Sequence, residues 1–475
     1  MKKIITKIIC FVVMLPLAIS ALGCGGDPII VPEYTSDDYI DIVAYSTPTN
    51  PNWNGTAGNA DGLTVPVYQD MADAGFTGAQ PLMDAAGGTG FYENAALSER
   101  DARKVLKICE QLTYANPKHK MMYMVRDWTF MGFTNRVENP NNWEPYLEYL
   151  FREDVYDILT HPNYAGHNLW DEPDIKQMGD NIFTIRKYKE LLKNVNPKAD
   201  PFFNLLPDYA NSTQLGGTYQ EYIDYYCDNL APMLGYICYD YYPLFGSQYS
   251  TSVKDSYLSN FEVVAKECKE RDLEFRMYIQ TAEAFPGSSR DIIGAQDYRF
   301  QIYTAMAYGC EYFIHYTYNG WSDTKHGIVD INNNKTFRYY AAQTVHNEVH
   351  AIEDVFLNFK WDGVMVKEKP NSLYANRAFA MLNYCLDGHD RIKDWSVTND
   401  TVVGMFHDAE GRDGFMFVNY SDPAKDENDD VTVTFNDARA LLMYRYGQKI
   451  VVPLVDGQYT FKLEPGEGRF VIPLK

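Results

Sequence analysis

The segment His167-Asn168-Leu169-Trp170-Asp171-Glu172-Pro173 carries the clearest chemical signal in the chain. A strand-like apolar run ends on two adjacent carboxylates. A proline, which has no N–H to give to a sheet ladder, closes it. A carboxyl group at a strand tip is a candidate general acid or base, and in a barrel of alternating strands and helices the tips are where catalysis sits. Asp171 and Glu172 are equally suited to capping a following helix. A second acid, Glu283, follows the run that ends at Gln280, and other polar groups recur at comparable ends: Arg126 and Asp127 beside Trp128, then Asn204, then Asp240 near Tyr242. Aromatic residues make up 15% of the chain, and Trp170, Tyr239, Tyr241, Tyr316, Tyr318 and Trp321 stand close to strand ends. A sugar ring offers a C–H face that packs on an aromatic plane, while its hydroxyls need amides and carboxylates. Any one tyrosine is better explained by core packing. The coincidence of aromatics, amides and acids at the same ends points to a carbohydrate pocket. His315 is a candidate contact for a hydroxyl, although a histidine in an apolar strand is more often a core residue.

The elements that must position these groups follow from periodicity. Runs rich in β-branched, aromatic and aliphatic residues recur about every 30 to 45 residues, the spacing of strand-helix units rather than hairpins. Eight are expected, at 40–46, 76–83, 121–127, 164–170, 202–206, 236–240, 275–280 and 312–318. Helical periodicity fills several intervals. Over 98–112 the apolar positions are Ala102, Val105, Leu106, Cys109 and Leu112, with Ser98 and Asp101 as a capping box. Over 254–268 they are Tyr257, Phe261, Val264, Ala265 and Cys268, and 299–308 is apolar on most sides with Gly309 as its stop. The fold class expected is α/β, a closed (β/α)8 barrel over 38–358. An open doubly wound sheet has the same rhythm, but no glycine-rich dinucleotide fingerprint follows the first strand.

Beyond about Asn358 short alternating strands replace the strand-helix units, at 402–407, 414–420, 431–435, 441–445, 449–454, 459–463 and 469–472. A small β-sandwich over 359–475 is expected. Its acidic stretch 422–430 suits either a calcium loop or a solvated turn, and composition favours the turn.

At the other end, Lys2, Lys3 and Lys7 precede an apolar stretch over 8–22 that closes on Gly23-Cys24-Gly25-Gly26. This is the layout of a secretory leader over 1–24, too short for a typical membrane span, followed by a spacer over 25–37. An uncleaved anchor or an ordinary signal peptide remains open. The whole chain has 475 residues and a formal charge of −22, which argues against nucleic acid and against attachment through anionic lipids. Eight cysteines, two of them in the leader, show no metal-ligand spacing. No cofactor, no structural zinc and no required disulfide are expected, and the oligomeric state is open.

Several stretches resemble the glycoside hydrolases of clan A, and most of all bacterial proteins related to families 42 and 158. They are Gly166-His167-Asn168-Leu169-Trp170-Asp171-Glu172-Pro173, Phe203-Asn204-Leu205-Leu206-Pro207-Asp208-Tyr209-Ala210, Cys238-Tyr239-Asp240-Tyr241-Tyr242-Pro243 and Gln301-Ile302-Tyr303-Thr304-Ala305-Met306-Ala307-Tyr308-Gly309. The resemblance covers about two thirds of the chain. It implies a retaining glycosidase for β-linked glycans, with an acid/base glutamate after the fourth strand and a nucleophilic glutamate after the seventh. Glu172 takes the first role by strand count, and Glu283 is the candidate for the second. The clan's asparagine before the acid/base is replaced by Asp171, which accepts a sugar hydrogen bond but cannot donate one. If Gln280 holds the nucleophile position, the site is disabled or uses another acid, with Asp240 in reserve. Asp240 otherwise bonds a substrate hydroxyl or Arg126. Trp321 is expected to floor the cleaved-sugar subsite. The residues before Cys24, Ala21-Leu22-Gly23, are similar to a bacterial lipobox, which implies lipidation at Cys24 and anchoring to the cell envelope by that lipid alone. The competing expectation is a surface lipoprotein that binds carbohydrate without hydrolysing it.

Overall fold

The computed structural model describes residues 28–48, 62–81, 91–125, 144–247, 250–284, 288–320, 327–373 and 375–475. The leader with Cys24, the group Arg126, Asp127 and Trp128, and Trp321 lie outside the described residues.

Eight parallel strands form the first layer: β1 (Asp41–Tyr45), β2 (Gly78–Gln80), β3 (Met122–Val125), β4 (Tyr164–Asp171), β5 (Phe202–Asn204), β6 (Tyr236–Asp240), β9 (Glu274–Gln280) and β10 (Tyr312–Tyr316). Their order is β5-β4-β3-β2-β1-β10-β9-β6. The two end strands meet just past β5, where Leu205 bridges to Tyr239 and its N–H reaches the Cys238 carbonyl at 2.9 Å. The sheet is therefore a barrel closed by that single bridge, the (β/α)8 architecture read from the apolar rhythm, and every expected run overlaps its strand, with β4 and β9 each extending one residue beyond. Between the sixth strand and its helix the chain adds an antiparallel hairpin, β7 (Leu244–Ser247) and β8 (Ser250–Val253), in place of the expected loop.

Lower in the barrel, Arg276 lies 3.9 Å from the ring centroid of Tyr236 and 4.5 Å from that of Tyr312, and it pairs with Glu274. A buried guanidinium is tolerated because π faces and a carboxylate surround it. The outer helices bury the faces their periodicity marks: Tyr257, Phe261, Val264, Ala265 and Cys268 are all buried on the helix Tyr257–Arg271. Gly309, at φ +81°, ends the helix Ala295–Ala307 as expected. The helix Phe91–Cys109 begins before the expected start, so Ser98 is a buried interior residue and not a cap. Asp101 pairs with Arg100 at 2.8 Å instead.

The C-terminal part is two antiparallel sheets. Six strands run in the order β11 (Phe359–Lys367), β13 (Thr401–Asp408), β14 (Asp413–Asn419), β19 (Gly468–Leu474), β16 (Ala440–Arg445) and β17 (Gln448–Pro453); the other three are β12 (Ile392–Ser396), β15 (Asp429–Phe435) and β18 (Gln458–Leu463). Alternation sorts β14 between two cores. Phe415 and Phe417 join the core shared with Val433 and Phe461, while Met416 and Val418 pack into the barrel's core. Strands β11 and β12, absent from the sequence expectation, complete the two sheets. In the acidic stretch, Asp422 caps a short turn and Asp429 accepts from the N–H groups of Thr398 and Asn399 and from Thr401 Oγ1. Both carboxylates are buried, and Asp429 ties the stretch to the segment that opens β13. The described cysteines are unpaired thiols, five of them buried. Among the described residues no helix is long and apolar enough to cross a membrane.

Candidate active site

At the C-terminal mouth, β4 ends on Asp171, and Glu172 then adopts a left-handed backbone at φ +56°. Such a conformation is uncommon for a residue with a side chain and persists where surroundings impose it. Two bonds do so here. The Glu172 N–H donates to the Asn204 carbonyl at 3.0 Å, and the Tyr222 hydroxyl donates to the Pro173 carbonyl at 2.9 Å while accepting from Leu206 N at 3.1 Å. The helix that follows, Ile175–Val195, is capped by Asp174, whose side chain accepts from Gln177 N. Asp171 and Glu172 are thereby free of the capping role that their types also allowed.

Asn204, at the tip of β5, spends both amide hydrogens on acids. Its Nδ2 lies 3.1 Å from Asp171 Oδ1 and 3.1 Å from Asp240 Oδ1. Its Oδ1 faces the Cys238 thiol at 3.8 Å. Asp240 is 4% exposed at the end of β6, and its carboxyl is within hydrogen-bond reach of the Glu172 carboxyl. Burial, followed by the charges of Glu172 and Asp171, pushes the proton affinity of Asp240 well above the usual carboxylate range. Glu172 is exposed as a residue on the rim. Its carboxyl turns inward, and desolvation followed by the Asp171 charge raises its proton affinity, with the Asp240 hydrogen bond opposing. Asp171, Glu172, Asn204 and Asp240 therefore form one cluster, assembled from three adjacent strands.

Tyrosines wall this cluster. Tyr316 stacks on Tyr45 at 5.7 Å and approaches Tyr242 at 5.3 Å, and the charges of Asp171, Asp240 and Glu172 all act on its hydroxyl. On the other side the Lys254 ammonium lies 3.1 Å from the Tyr209 ring centroid and 4.4 Å from that of Phe245. Burial lowers the Lys254 pKa to about 8 against the charges of Asp208 and Asp240. Sequence reasoning did not single out Tyr45, Tyr209, Tyr222 or Lys254. Tyr209 stood within the stretch after β5, but nothing local marks a lysine beyond an unforeseen hairpin.

The remaining site expectations divide. Gln280 is corrected: it is fully buried, accepts from Leu244 N at 3.1 Å, and donates to the carbonyls of Ala282 at 2.9 Å and Arg290 at 3.1 Å. Both amide hydrogens are spent and the side chain is out of a sugar's reach. His315 is likewise a core residue. It is 0% exposed, its Nε2 lies 2.9 Å from His346 Nε2, and its ring packs edge-on against Phe76. Tyr239 and Tyr318, also 0% and 1% exposed, belong to the core. Glu283 is half-buried on the segment after β9. Asp171 and Asp240 act on the Glu172 carboxyl.

A second polar cluster lies at the opposite, N-terminal end of the barrel. Glu353 stands between His119 Nε2, 2.8 Å away, and His350 Nδ1, 2.9 Å away, and also receives Lys118 at 3.0 Å and Ile40 N at 3.3 Å. These three residues have the spacing of a metal-ligand group. The ammonium of Lys118 already supplies the positive charge that a cation would bring.

No known family model matches this sequence. No curated protein matches it. Solved structures do match in fold. Over 92% of this chain and 99% of the other, an α-L-fucosidase isoenzyme 2 from Paenibacillus thiaminolyticus gives a TM-score of 0.53 at 9% identity. A family 5 glycoside hydrolase from Bacteroides vulgatus gives 0.52 at 10% identity over 91% of this chain and 89% of the other. The chain covers 60% of the length of a β-galactosidase from the psychrophilic Marinomonas ef1, with a TM-score of 0.43 at 8% identity. The first two likenesses extend through barrel and sandwich together and show that this chain shares a fold with glycoside hydrolases.

Proposed function

We propose that this protein is a glycoside hydrolase that cleaves β-linked glycans or oligosaccharides, β-galactosidase-like or β-glucanase-like, with retention of configuration. One observation carries the reading: a glutamate whose proton affinity is raised stands at the mouth of a closed barrel, beside an amide, two further acids and a tyrosine wall. A raised proton affinity suits a general acid at neutral pH. In the proposed reaction Glu283 attacks the anomeric carbon while Glu172 protonates the departing oxygen. Glu172 then takes a proton from water, which releases the sugar from Glu283. Retention requires the two working carboxyls about 5–5.5 Å apart, and inversion about 6.5–9.5 Å. Burial and the charges of Glu172 and Asp171 favour the protonated form of Asp240, which argues against Asp240 as the nucleophile.

Release of reducing sugar from β-galactosides, β-glucans and plant or algal polysaccharides tests the activity. Glu172→Gln should abolish hydrolysis of unactivated substrates while leaving sugar affinity within a few-fold, and undiminished turnover would remove Glu172 from the mechanism. Azide added to Glu283→Gly should restore turnover and give an inverted glycosyl azide. Rescue with retention in Glu172→Gly marks the acid/base instead. A second reading, sugar binding without hydrolysis, is favoured by the commitment of Gln280 to backbone at the tip of β9. Ligand affinity with no turnover would establish it. We further propose export and anchoring through lipidated Cys24, on the pattern of residues 2–26. Cys24→Ala should then move the protein from the membrane fraction to the soluble one.

A further inference from the structure

The retaining scheme uses one acid of the mouth cluster and leaves Asp240 without a part. Asp240 is buried at the tip of β6, and its Oδ1 is tied to Asn204 at 3.1 Å. The second hydrogen of the same amide is spent on Asp171, so Asn204 has nothing more to offer the pair. What remains of the Asp240 carboxyl faces the carboxyl of Glu172. Two ionised carboxylates at about 4 Å repel by about 4 kcal/mol even at an effective dielectric of 20, and oxygen atoms in hydrogen-bond contact need a proton between them. The backbone that carries Glu172 is held in its left-handed conformation by Asn204 and Tyr222, which fixes where its side chain starts.

We infer that Asp240 is a positioning residue that shares a single proton with Glu172, serving as the reservoir from which Glu172 acts as acid and to which the proton returns. This deepens the hydrolase reading and rests on Glu172 as its acid/base. In the resting site one proton moves between the two carboxyls. When Glu172 passes it to the leaving oxygen, the glycosidic C–O bond breaks as Glu283 bonds to the anomeric carbon, and the carboxyls of Glu172 and Asp240 are left ionised and facing one another. That repulsion makes Glu172 a stronger base when water arrives. The water proton goes to Glu172, the hydroxyl joins the anomeric carbon as its bond to Glu283 breaks, and the one-proton pair is restored with water the only reactant consumed. The pair titrates as a unit, so its two steps belong to neither residue alone.

Carbon-13 NMR titration of protein labelled at the glutamate carboxyls, with the Glu172 signal assigned from its loss in Glu172→Gln, reads the pair without any substrate. In the wild type the signal should titrate in two steps, the upper one above the ordinary glutamate range. In Asp240→Asn, which keeps the size of the side chain, a single step should lie at least one pH unit below that upper step. Identical curves in the two proteins overturn the proposal. If Asp240→Asn does not fold, the reciprocal reading applies: the Asp240 carboxyl, labelled in aspartate, must lose its two-step titration in Glu172→Gln, and an unchanged curve again overturns it. In kinetics, Asp240→Asn should move the alkaline limb of kcat/KM down by at least one pH unit. It should lose more than tenfold on glycosides with poor leaving groups and far less on dinitrophenyl glycosides. Equal losses on both would make Asp240 a nucleophile or a fold residue and overturn the proposal. Two-step titration in a protein that cleaves no glycoside upholds the shared proton and sinks the hydrolase reading instead.

Discussion

Glu172 shows how a single backbone angle decides where an acidic residue stands. At φ +56° the chain leaves β4 sharply, so that Glu172 and Asp171 both stay at the mouth while Asp174 takes over the helix cap. The strain of such a conformation costs about 1–3 kcal/mol, and the bonds to Asn204 and from Tyr222 offset it. A different kind of residue-scale control operates at the barrel's far end. Burial alone would raise the Glu353 carboxyl, but hydrogen bonds from His119 and His350, reinforced by their charges, outweigh it and bring the pKa down to about 2. A carboxyl whose folded-state pKa is depressed contributes stability above its unfolded value of 4.5 and loses that contribution as pH falls through about 2. Glu353→Gln should therefore lower the urea midpoint at pH 7, and its deficit relative to wild type should shrink between pH 4 and pH 2. A deficit independent of pH in that window would show that the carboxylate charge does not matter there.

At the scale of elements, β9 is a strand whose last residue builds a loop instead of a pocket. The Gln280 side chain ties together the start of the hairpin at Leu244 and both sides of the segment bearing Glu283, at Ala282 and Arg290. Thr281 N adds a bond to the Tyr316 carbonyl at 3.0 Å across the neighbouring strand. Gln280→Leu would orphan one buried N–H and two carbonyls. Each unsatisfied group costs about 1–3 kcal/mol, so the variant should unfold at clearly lower urea and lose hydrogen-exchange protection in the hairpin. An unchanged midpoint would mean that the loop is held elsewhere. The hairpin matters because Lys254 follows it directly and sets a cation on Tyr209 beside Asp208 and Asp240.

For the whole molecule, the six-stranded sheet is pressed directly against the barrel. At Gly404 a Cβ would come 2.2 Å from the Ala307 carbonyl oxygen, and at Gly468 it would come 2.3 Å from Tyr303 Cγ. Glycine is required at both points because backbone meets helix with no room for a side chain. The same seam carries the ion group of Arg290 with Asp297 at 2.6 Å and Asp422 at 3.6 Å, which joins the loop after β9 to the sandwich. The sandwich therefore braces the segment beside the proposed nucleophile. Gly404→Val should split or broaden the calorimetric transition as barrel and sandwich part, with reduced protection of the Arg290 segment. A single sharp transition at the wild-type temperature would show that the seam yields without separating.

The barrel, its eight strands and the sandwich strands from 401 onward were legible because burial writes itself as period: two in the strands of the sandwich, near-continuous apolar runs in the barrel, and 3.6 in its helices. Strands β11 and β12 were not, because each mixes exposed and buried positions without a clean alternation, as in Lys360, Trp361 and Asp362 of β11. The sequence alone also marked Glu172, since a proline after two acids ends a strand whatever surrounds it. Which polar strand ends face the mouth was decided only in three dimensions. Asn204 joins Asp171 and Asp240 at the mouth, while Gln280 and His315, of equally suitable type, are consumed by backbone and core. Residue type limits what a side chain is able to do, but its partners come from strands tens of residues away, and the closure of the barrel alone brings those partners into reach.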